Sequence, residues 1–167
     1  MKIITTGTSR IVFVHKDVAV KFPWINFFKL YKDYCRARKN GTVSKKIGRH
    51  HKNKVIAVIK YFPHLLTANR REYLYYKNNP TEESLLPVIK SFMFGYIIIQ
   101  PKGEVLSAVN PRWEKCRQKL QNKGIDDFDL LEPMNFCIFK GKVTLLDYAS
   151  VVTQSALNSS GFEVISE

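Results

Sequence analysis

The chain has 167 residues, of which 45% are hydrophobic and 13% aromatic, a composition typical of one folded domain and not of a disordered chain. Its formal net charge of +13 favours acidic or phosphate-bearing partners. The three cysteines lack CxxC spacing, the apolar stretches are too short to span a bilayer, and no apolar leader follows Met1. We therefore expect a cytoplasmic protein without disulfides, structural zinc or a membrane span.

The first 23 residues predict a β-meander. Branched and aromatic residues recur over residues 3–6, 11–14 and 18–22, and polar turn residues separate these three runs. Pro23 ends the pattern because proline cannot donate a hydrogen bond to a neighbouring strand.

A strongly basic segment follows. Apolar residues at helical spacing predict an amphipathic helix over residues 24–38. Residues 29–54 contain ten Lys or Arg and one Asp, so they carry +9 of the total charge of +13. Such a cluster can bind nucleic acid or an acidic protein, and it is equally consistent with a solvated, flexible loop.

The rest of the chain alternates between strand and helix patterns. In order, the predicted elements are residues 55–62 (strand), 70–77 (helix), 85–94 and 95–100 (two strands with a turn at Gly95), 111–123 (helix), 136–139 and 143–146 (hairpin), and 150–167 (a short helix with a loose tail). Thr67 or Asn69 is the predicted cap of the first of these helices. This order predicts an α+β fold.

Three motifs in the first half suggest phosphate chemistry. The turn Thr-Gly-Thr-Ser-Arg, around Gly7, would let backbone N–H groups approach phosphate oxygens, although it also fits a plain hairpin turn. Val-Ala-Val-Lys ends a predicted strand at Lys21, whose ammonium either reaches phosphates or faces solvent. Arg-Arg-Glu-Tyr-Leu-Tyr-Tyr places Glu72 on a helix, either opposite that lysine or paired with a neighbouring arginine.

The fourth motif is the most specific. Leu-Leu-Glu-Pro-Met-Asn ends at Asn135, and a hairpin with a Lys-Gly-Lys turn then leads to Leu-Leu-Asp-Tyr-Ala, which contains Asp147. Two oxygen ligands on adjacent hairpin strands can bind one hard cation beside phosphates. A fortuitous hairpin is the alternative.

Together the motifs resemble the protein-kinase and aminoglycoside-phosphotransferase superfamily over residues 3–150. They are also similar to the small kinase-like family of PhoP-regulatory-network proteins (YrbL-like), which shares the Gly-Thr turn, the Arg-Arg-Glu helix and the Pro-x-Asn loop. The resemblance implies a minimal kinase-like α+β fold in a single domain, residues 1–167. Residues 1–100 would form an N-lobe antiparallel sheet with one αC-like helix and a basic insertion at about 24–66. Residues 101–167 would form a strongly truncated C-lobe.

The resemblance also implies that ATP and Mg²⁺ bind in a cleft between the two lobes. The implied roles are nucleotide contacts from Gly7, Thr8, Ser9 and Lys21, orientation of Lys21 by Glu72, and metal binding by Asn135 and Asp147.

The catalytic loop departs from the family pattern. Counting back from Asn135, the position of the catalytic base falls on Leu130, which cannot accept a proton. Asp129 lies one residue earlier and reaches that position only if the loop contains a bulge or a one-residue slip. Asp127 and Glu132 are further acidic candidates.

Three functions remain open on the sequence alone. The leading one is an atypical small kinase-like phosphotransferase that uses ATP and Mg²⁺ on an unknown acceptor or a protein partner. The second is a catalytically impaired pseudokinase acting as a binding or regulatory module, favoured by Leu130 and by the mere 20 residues after Asp147. The third is a basic nucleic-acid-binding protein that acts through residues 29–54, whose binding would weaken with salt and would not depend on Asp147.

Overall fold

Two antiparallel sheets and three α-helices form the part of the chain that the structure describes. In the computed structural model this part comprises residues 2–4, 10–24, 28, 63, 66–125, 127 and 129–165. The strands are β1 (Lys2–Ile4), β2 (Arg10–His15), β3 (Val18–Pro23), β4 (Lys90–Phe92), β5 (Ile97–Pro101), β6 (Glu104–Val105), β7 (Phe136–Phe139) and β8 (Lys142–Leu145). The helices are α1 (Ala68–Asn78), α2 (Pro111–Asn122) and α3 (Val151–Ser160). The predicted α+β class is confirmed.

The larger sheet has the strand order β1-β2-β3-β5-β4, and all its neighbouring strands are antiparallel. Ala19 and Lys21 of β3 are buried, as are Ile98 and Gln100 of β5, because alternate residues of a strand point to the same face. Helix α1 packs on this sheet. The side chain of Asn69 ties the two together by donating to the carbonyl oxygens of Lys21 and Tyr96, at 2.9 and 2.7 Å.

The smaller sheet has the order β6-β7-β8. Its hairpin turns at Lys140 and Gly141, whose φ angles of 50° and 81° fit the two-residue turns that match the twist of antiparallel strands. Two backbone hydrogen bonds join β8 to the segment before β4: Leu145 N to Ser84 O at 2.8 Å, and Leu86 N to Leu145 O at 2.9 Å. These bonds bring the residues that follow β8 close to α1 and the larger sheet.

The main hydrophobic core lies between the smaller sheet and the helices. Its fully buried side chains include Leu120 of α2, Phe136 of β7 and Leu157 of α3. Helix α2 begins at Pro111, as the sequence predicts, and the side chain of Asn110 caps it by accepting a hydrogen bond from the amide of Arg112 at 2.9 Å. The expectation of a loose tail after a short last helix is wrong in one respect, because Ile165 is buried in the same core.

Two further expectations differ from the structure. The strand predicted over residues 85–94 shrinks to Lys90–Phe92. At its end Met93–Gly95 form a 3-10 turn with positive φ angles, and at its start Leu85 and Leu86 pair with Leu145 of β8 instead. Thr67 occupies the cap position of α1, but its hydroxyl bonds the carbonyl of Pro63 and not an amide of the helix. The predicted helix over residues 24–38, the strand over 55–62 and the basic residues 29–54 lie outside the described residues, apart from positions 24 and 28.

Candidate functional site

Lys21 lies at the centre of a buried charge cluster. It ends the buried face of β3, opposite Val12 of β2 and Ile98 of β5. Its ammonium donates to Glu72 Oε1 at 2.6 Å and to the carbonyl oxygen of Leu146 at 2.8 Å. Burial lowers the pKa of Lys21, and the charge of Glu72 opposes that effect. The lysine is therefore held by one carboxylate from α1 and one carbonyl from the strand end beside Asp147.

Glu72 has no solvent-exposed surface. It sits on the buried face of α1 with Ala68, Asn69 and Tyr75, at the spacing of successive helical turns. Its two oxygens are divided between two cations: Oε1 accepts from Lys21, and Oε2 accepts from Arg10. A fully buried carboxylate needs such partners, because an isolated buried charge is strongly unfavourable.

Arg10 is the one member of this cluster that the sequence analysis did not propose as a site residue. It is buried at the start of β2, and its guanidinium bridges Glu72 Oε2 and Asp147 Oδ2. Burial opposes the charge of Arg10, but the carboxylates of Asp147 and Glu72 outweigh that effect and raise its pKa. In the sequence, Arg10 directly follows Gly-Thr-Ser and precedes an apolar strand, a position that does not distinguish it from a surface arginine.

Asp147 follows β8 and stands at the outer edge of the cluster. Its side chain is 37% exposed, so this carboxylate meets solvent while Glu72 does not. Burial alone would raise its pKa, but the charges of Arg10 and Lys21 lower the pKa below the usual range for an aspartate. The Asp147 carboxylate therefore stays ionised and can meet a ligand arriving from solvent.

Asn135 connects Asp147 to the catalytic-loop candidate Asp129. The Asn135 carbonyl oxygen accepts hydrogen bonds from Leu146 N at 2.7 Å and Asp147 N at 3.3 Å. Its side-chain nitrogen donates to the carbonyl oxygen of Asp129 at 2.8 Å. The structure thus brings Asn135, Asp147 and Asp129 into one loop and hairpin end.

The loop before Asn135 has two 3-10 turns, Asp129–Leu131 and Pro133–Asn135. Leu130 is fully buried in the hydrophobic core, whereas Asp129 is partly exposed. Burial, followed by the charges of Asp147 and Asp127, raises the pKa of Asp129. Asp129 is therefore electrostatically coupled to Asp147, and Leu130 is turned into the core.

The two other acidic candidates, Asp127 and Glu132, form hydrogen bonds that order the loop around Asp129. Asp127 is buried, and its carboxylate accepts from the Thr153 hydroxyl at 2.7 Å and from the Asp129 amide at 3.0 Å. It fixes the loop to α3. Glu132 precedes the second 3-10 turn, and its carbonyl oxygen accepts from Asn135 N at 3.0 Å.

Asn135 and Asp147 suit a hard divalent cation in their chemistry. Because the Asn135 nitrogen donates to Asp129, the amide oxygen is the side-chain atom left to meet a cation. Asp147 offers a partly exposed carboxylate with one long hydrogen bond, from Ala149 N to Oδ1 at 3.3 Å. Magnesium commonly uses one or two such oxygen ligands and completes its shell with phosphate and water. The contact between Arg10 and Asp147 Oδ2 would have to open for a cation to bind there.

Other features of the described chain lie apart from this cluster. Burial raises the pKa of the Cys137 thiol to about 11, so this thiol is protonated at neutral pH and is a poor nucleophile. A surface groove of about 280 Å³ is lined by residues that do not belong to the charge cluster, among them Tyr76, Glu83, Phe139 and Lys142. The predicted phosphate-loop residues Gly7, Thr8 and Ser9 lie outside the described residues.

No protein-family model, curated protein sequence or solved structure matches the chain. Within the residues that the structure describes, no helix has the length and apolar character needed to cross a membrane.

Proposed function

We propose that this chain is an atypical small kinase-like phosphotransferase that binds ATP and Mg²⁺ beside Lys21 and Asp147. The observation that carries the proposal is the buried pair of Lys21 and Glu72, 2.6 Å apart, which adjoins the partly exposed carboxylate of Asp147. A five-stranded antiparallel sheet, with α1 among the described residues between β3 and β4, accords with the expected N-lobe. This fold assignment is part of the proposal.

A structural role explains the cluster poorly. Buried ion pairs contribute little to stability, because removing both charges from water offsets most of their attraction. Groups with shifted pKa values that converge next to solvent are more typical of a functional site. Here the pKa values of Lys21 and Asp147 are lowered and that of Asp129 is raised, and Asp147 influences the pKa of both other residues.

Each residue then has a chemical role. Lys21, oriented by Glu72, would contact the nucleotide phosphates, and Asn135 and Asp147 would hold the metal. When bound, magnesium neutralises negative charge on the phosphate oxygens. Asp129, whose pKa is raised, would accept the proton of the acceptor hydroxyl as its oxygen bonds to the γ-phosphorus and ADP leaves.

Calorimetry and thermal unfolding with ATP and Mg²⁺ test this proposal. A ligand at one hundred times its Kd stabilises the native state by about 2.7 kcal/mol, or roughly 5–10 °C in Tm for a chain of this size. We expect such a magnesium-dependent rise in the wild type and none in Asp147→Asn. Asp17→Asn is the matched control, because it makes the same change at an exposed turn and should keep the full rise. No rise in the wild type would refute the proposal.

A nucleotide-binding pseudokinase is the second candidate. It is favoured by the burial of Leu130 at the position counted back from Asn135, and by the occupation of Asp147 by Arg10. This alternative predicts the same rise in Tm but no transfer of the γ-phosphate to any acceptor and no release of phosphate. The nucleic-acid hypothesis rests on residues 29–54 and predicts salt-sensitive binding that survives Asp147→Asn.

A further inference from the structure

Arg10 holds one buried and one accessible carboxylate at the same time. One guanidinium nitrogen contacts Oε2 of Glu72, which is fully buried, and the other contacts Oδ2 of Asp147, which is 37% exposed. The first contact is shielded from solvent by the helix and sheet around it. The second contact is at the solvent edge, where an arriving ligand would meet it first.

The cluster is neutral as it stands. The two cations Lys21 and Arg10 balance the two carboxylates Glu72 and Asp147. A metal that binds Asp147 at Oδ2 must displace a cation already in contact with that oxygen. A bound polyphosphate is stabilised by nearby cations. A guanidinium can donate two parallel hydrogen bonds to phosphate oxygens, as it does to a carboxylate.

We propose that Arg10 is a phosphate-binding residue that moves from Asp147 to the terminal phosphates when a nucleotide and its metal enter. Glu72 keeps its hold on one side of the guanidinium, and Asp147 is released to the metal. This inference rests on the proposed function, because it assumes that the cluster takes a nucleotide. It adds Arg10, at the start of β2, as a positive charge that faces the phosphates. Before a nucleotide binds, the same residue competes with the metal for Asp147.

The proposal predicts that losing Arg10 changes two affinities in opposite directions. In Arg10→Ala, Mn²⁺ alone should bind more tightly, because its competitor at Asp147 is gone. At saturating Mn²⁺, a non-hydrolysable ATP analogue should bind about ten- to a hundred-fold more weakly, the usual effect of one lost charge-assisted contact. Electron paramagnetic resonance of free Mn²⁺ measures the first affinity, and calorimetry measures the second.

The controls separate this role from a structural one. Arg117→Ala removes another guanidinium that pairs with a carboxylate, Glu114, but on the exposed face of α2, and it should change neither affinity. Arg10→Lys keeps the charge but cannot reach both carboxylates equally well, so it should show the same two changes at smaller size. It also serves if Arg10→Ala does not fold.

Every other pattern overturns the inference. Two affinities that fall together would mean that Arg10 only maintains the site, and two that stay unchanged would mean that it is inert. A gain in Mn²⁺ affinity with unchanged nucleotide affinity would mean that Arg10 competes with the metal for Asp147 but does not bind phosphate. A loss of nucleotide affinity with unchanged Mn²⁺ affinity would refute the exchange at Asp147. A wild type that binds no nucleotide would instead refute the proposed function, and the Mn²⁺ measurement would still report whether Arg10 blocks Asp147.

Discussion

Replacing Glu72 with Gln tests whether the charge cluster is held together as the structure indicates. Glu72 is fully buried and forms ion pairs with both Lys21 and Arg10. The substitution therefore leaves these two buried cations with Asp147 as the one remaining carboxylate of the cluster. A glutamine side chain has one carbonyl oxygen to accept with, and its amide N–H groups would face a cation. Breaking a buried ion pair in this way costs about 3–5 kcal/mol. At about 2–4 °C per kcal/mol, Tm should fall by roughly 6–20 °C.

Urea unfolding, followed by the fluorescence of the buried Trp113, measures the free energy of unfolding. Glu83→Gln is the matched control, because Glu83 is 74% exposed and pairs with exposed Lys142. It should leave the free energy of unfolding unchanged within error, since exposed pairs contribute little. Added salt should not reduce the difference between the two variants, because the buried pair is screened weakly. A loss in Glu72→Gln below about 1 kcal/mol, or one no larger than in Glu83→Gln, would refute the reasoning.

Three further predictions concern single residues. Asp129→Asn should raise Tm slightly, since the raised pKa of Asp129 means that its ionised form destabilises the native state near neutral pH; an unchanged or lower Tm would contradict this. Asp147 has a lowered pKa, so its ionised form stabilises the native state above the usual aspartate range and this contribution is lost as pH falls through the native pKa. The free energy of unfolding, measured in urea at neutral and acid pH, should be higher for wild type than for Asp147→Asn, and this difference should shrink on acidification. A difference that does not change with pH would count against the ion pair. Gly95→Ala should destabilise the chain more than Gly124→Ala in urea unfolding, because both have positive φ but only the Cβ at 95 would meet Tyr73, at 2.7 Å; equal losses would show that this approach is relaxed.

The parts of the fold that the sequence predicted well have local signals. The hairpin of β7 and β8 carries its turn residues Lys140 and Gly141 between two largely apolar strands. Helix α2 carries its own cap at Asn110 and its buried face at helical spacing. Lys21 and Glu72 were paired because each sits in a short motif with a resemblance to a known family. The structure brings these two side chains together across 51 residues of sequence.

The parts that the sequence could not predict depend on contacts between distant residues. Arg10 meets Glu72 across 62 residues, and nothing in its own neighbourhood in the sequence distinguishes it from a surface arginine. Ile165 lies in the last stretch, which is rich in Ser and Asn and looks like a loose tail, yet its side chain is buried in the core. The strand predicted over residues 85–94 was too long at its C-terminal end because Met93 and Phe94 adopt positive φ, which neither residue type favours. It was too long at its N-terminal end because Leu85 and Leu86 pair with the distant Leu145.

The most direct test of the central claim is a crystal structure of the chain with Mn²⁺ and a non-hydrolysable ATP analogue, with the metal located by its anomalous scattering. We expect a metal peak about 2 Å from a carboxylate oxygen of Asp147 and from the amide oxygen of Asn135, with phosphate oxygens near Lys21. A metal bound elsewhere, or a nucleotide whose phosphates lie away from Lys21, would contradict it.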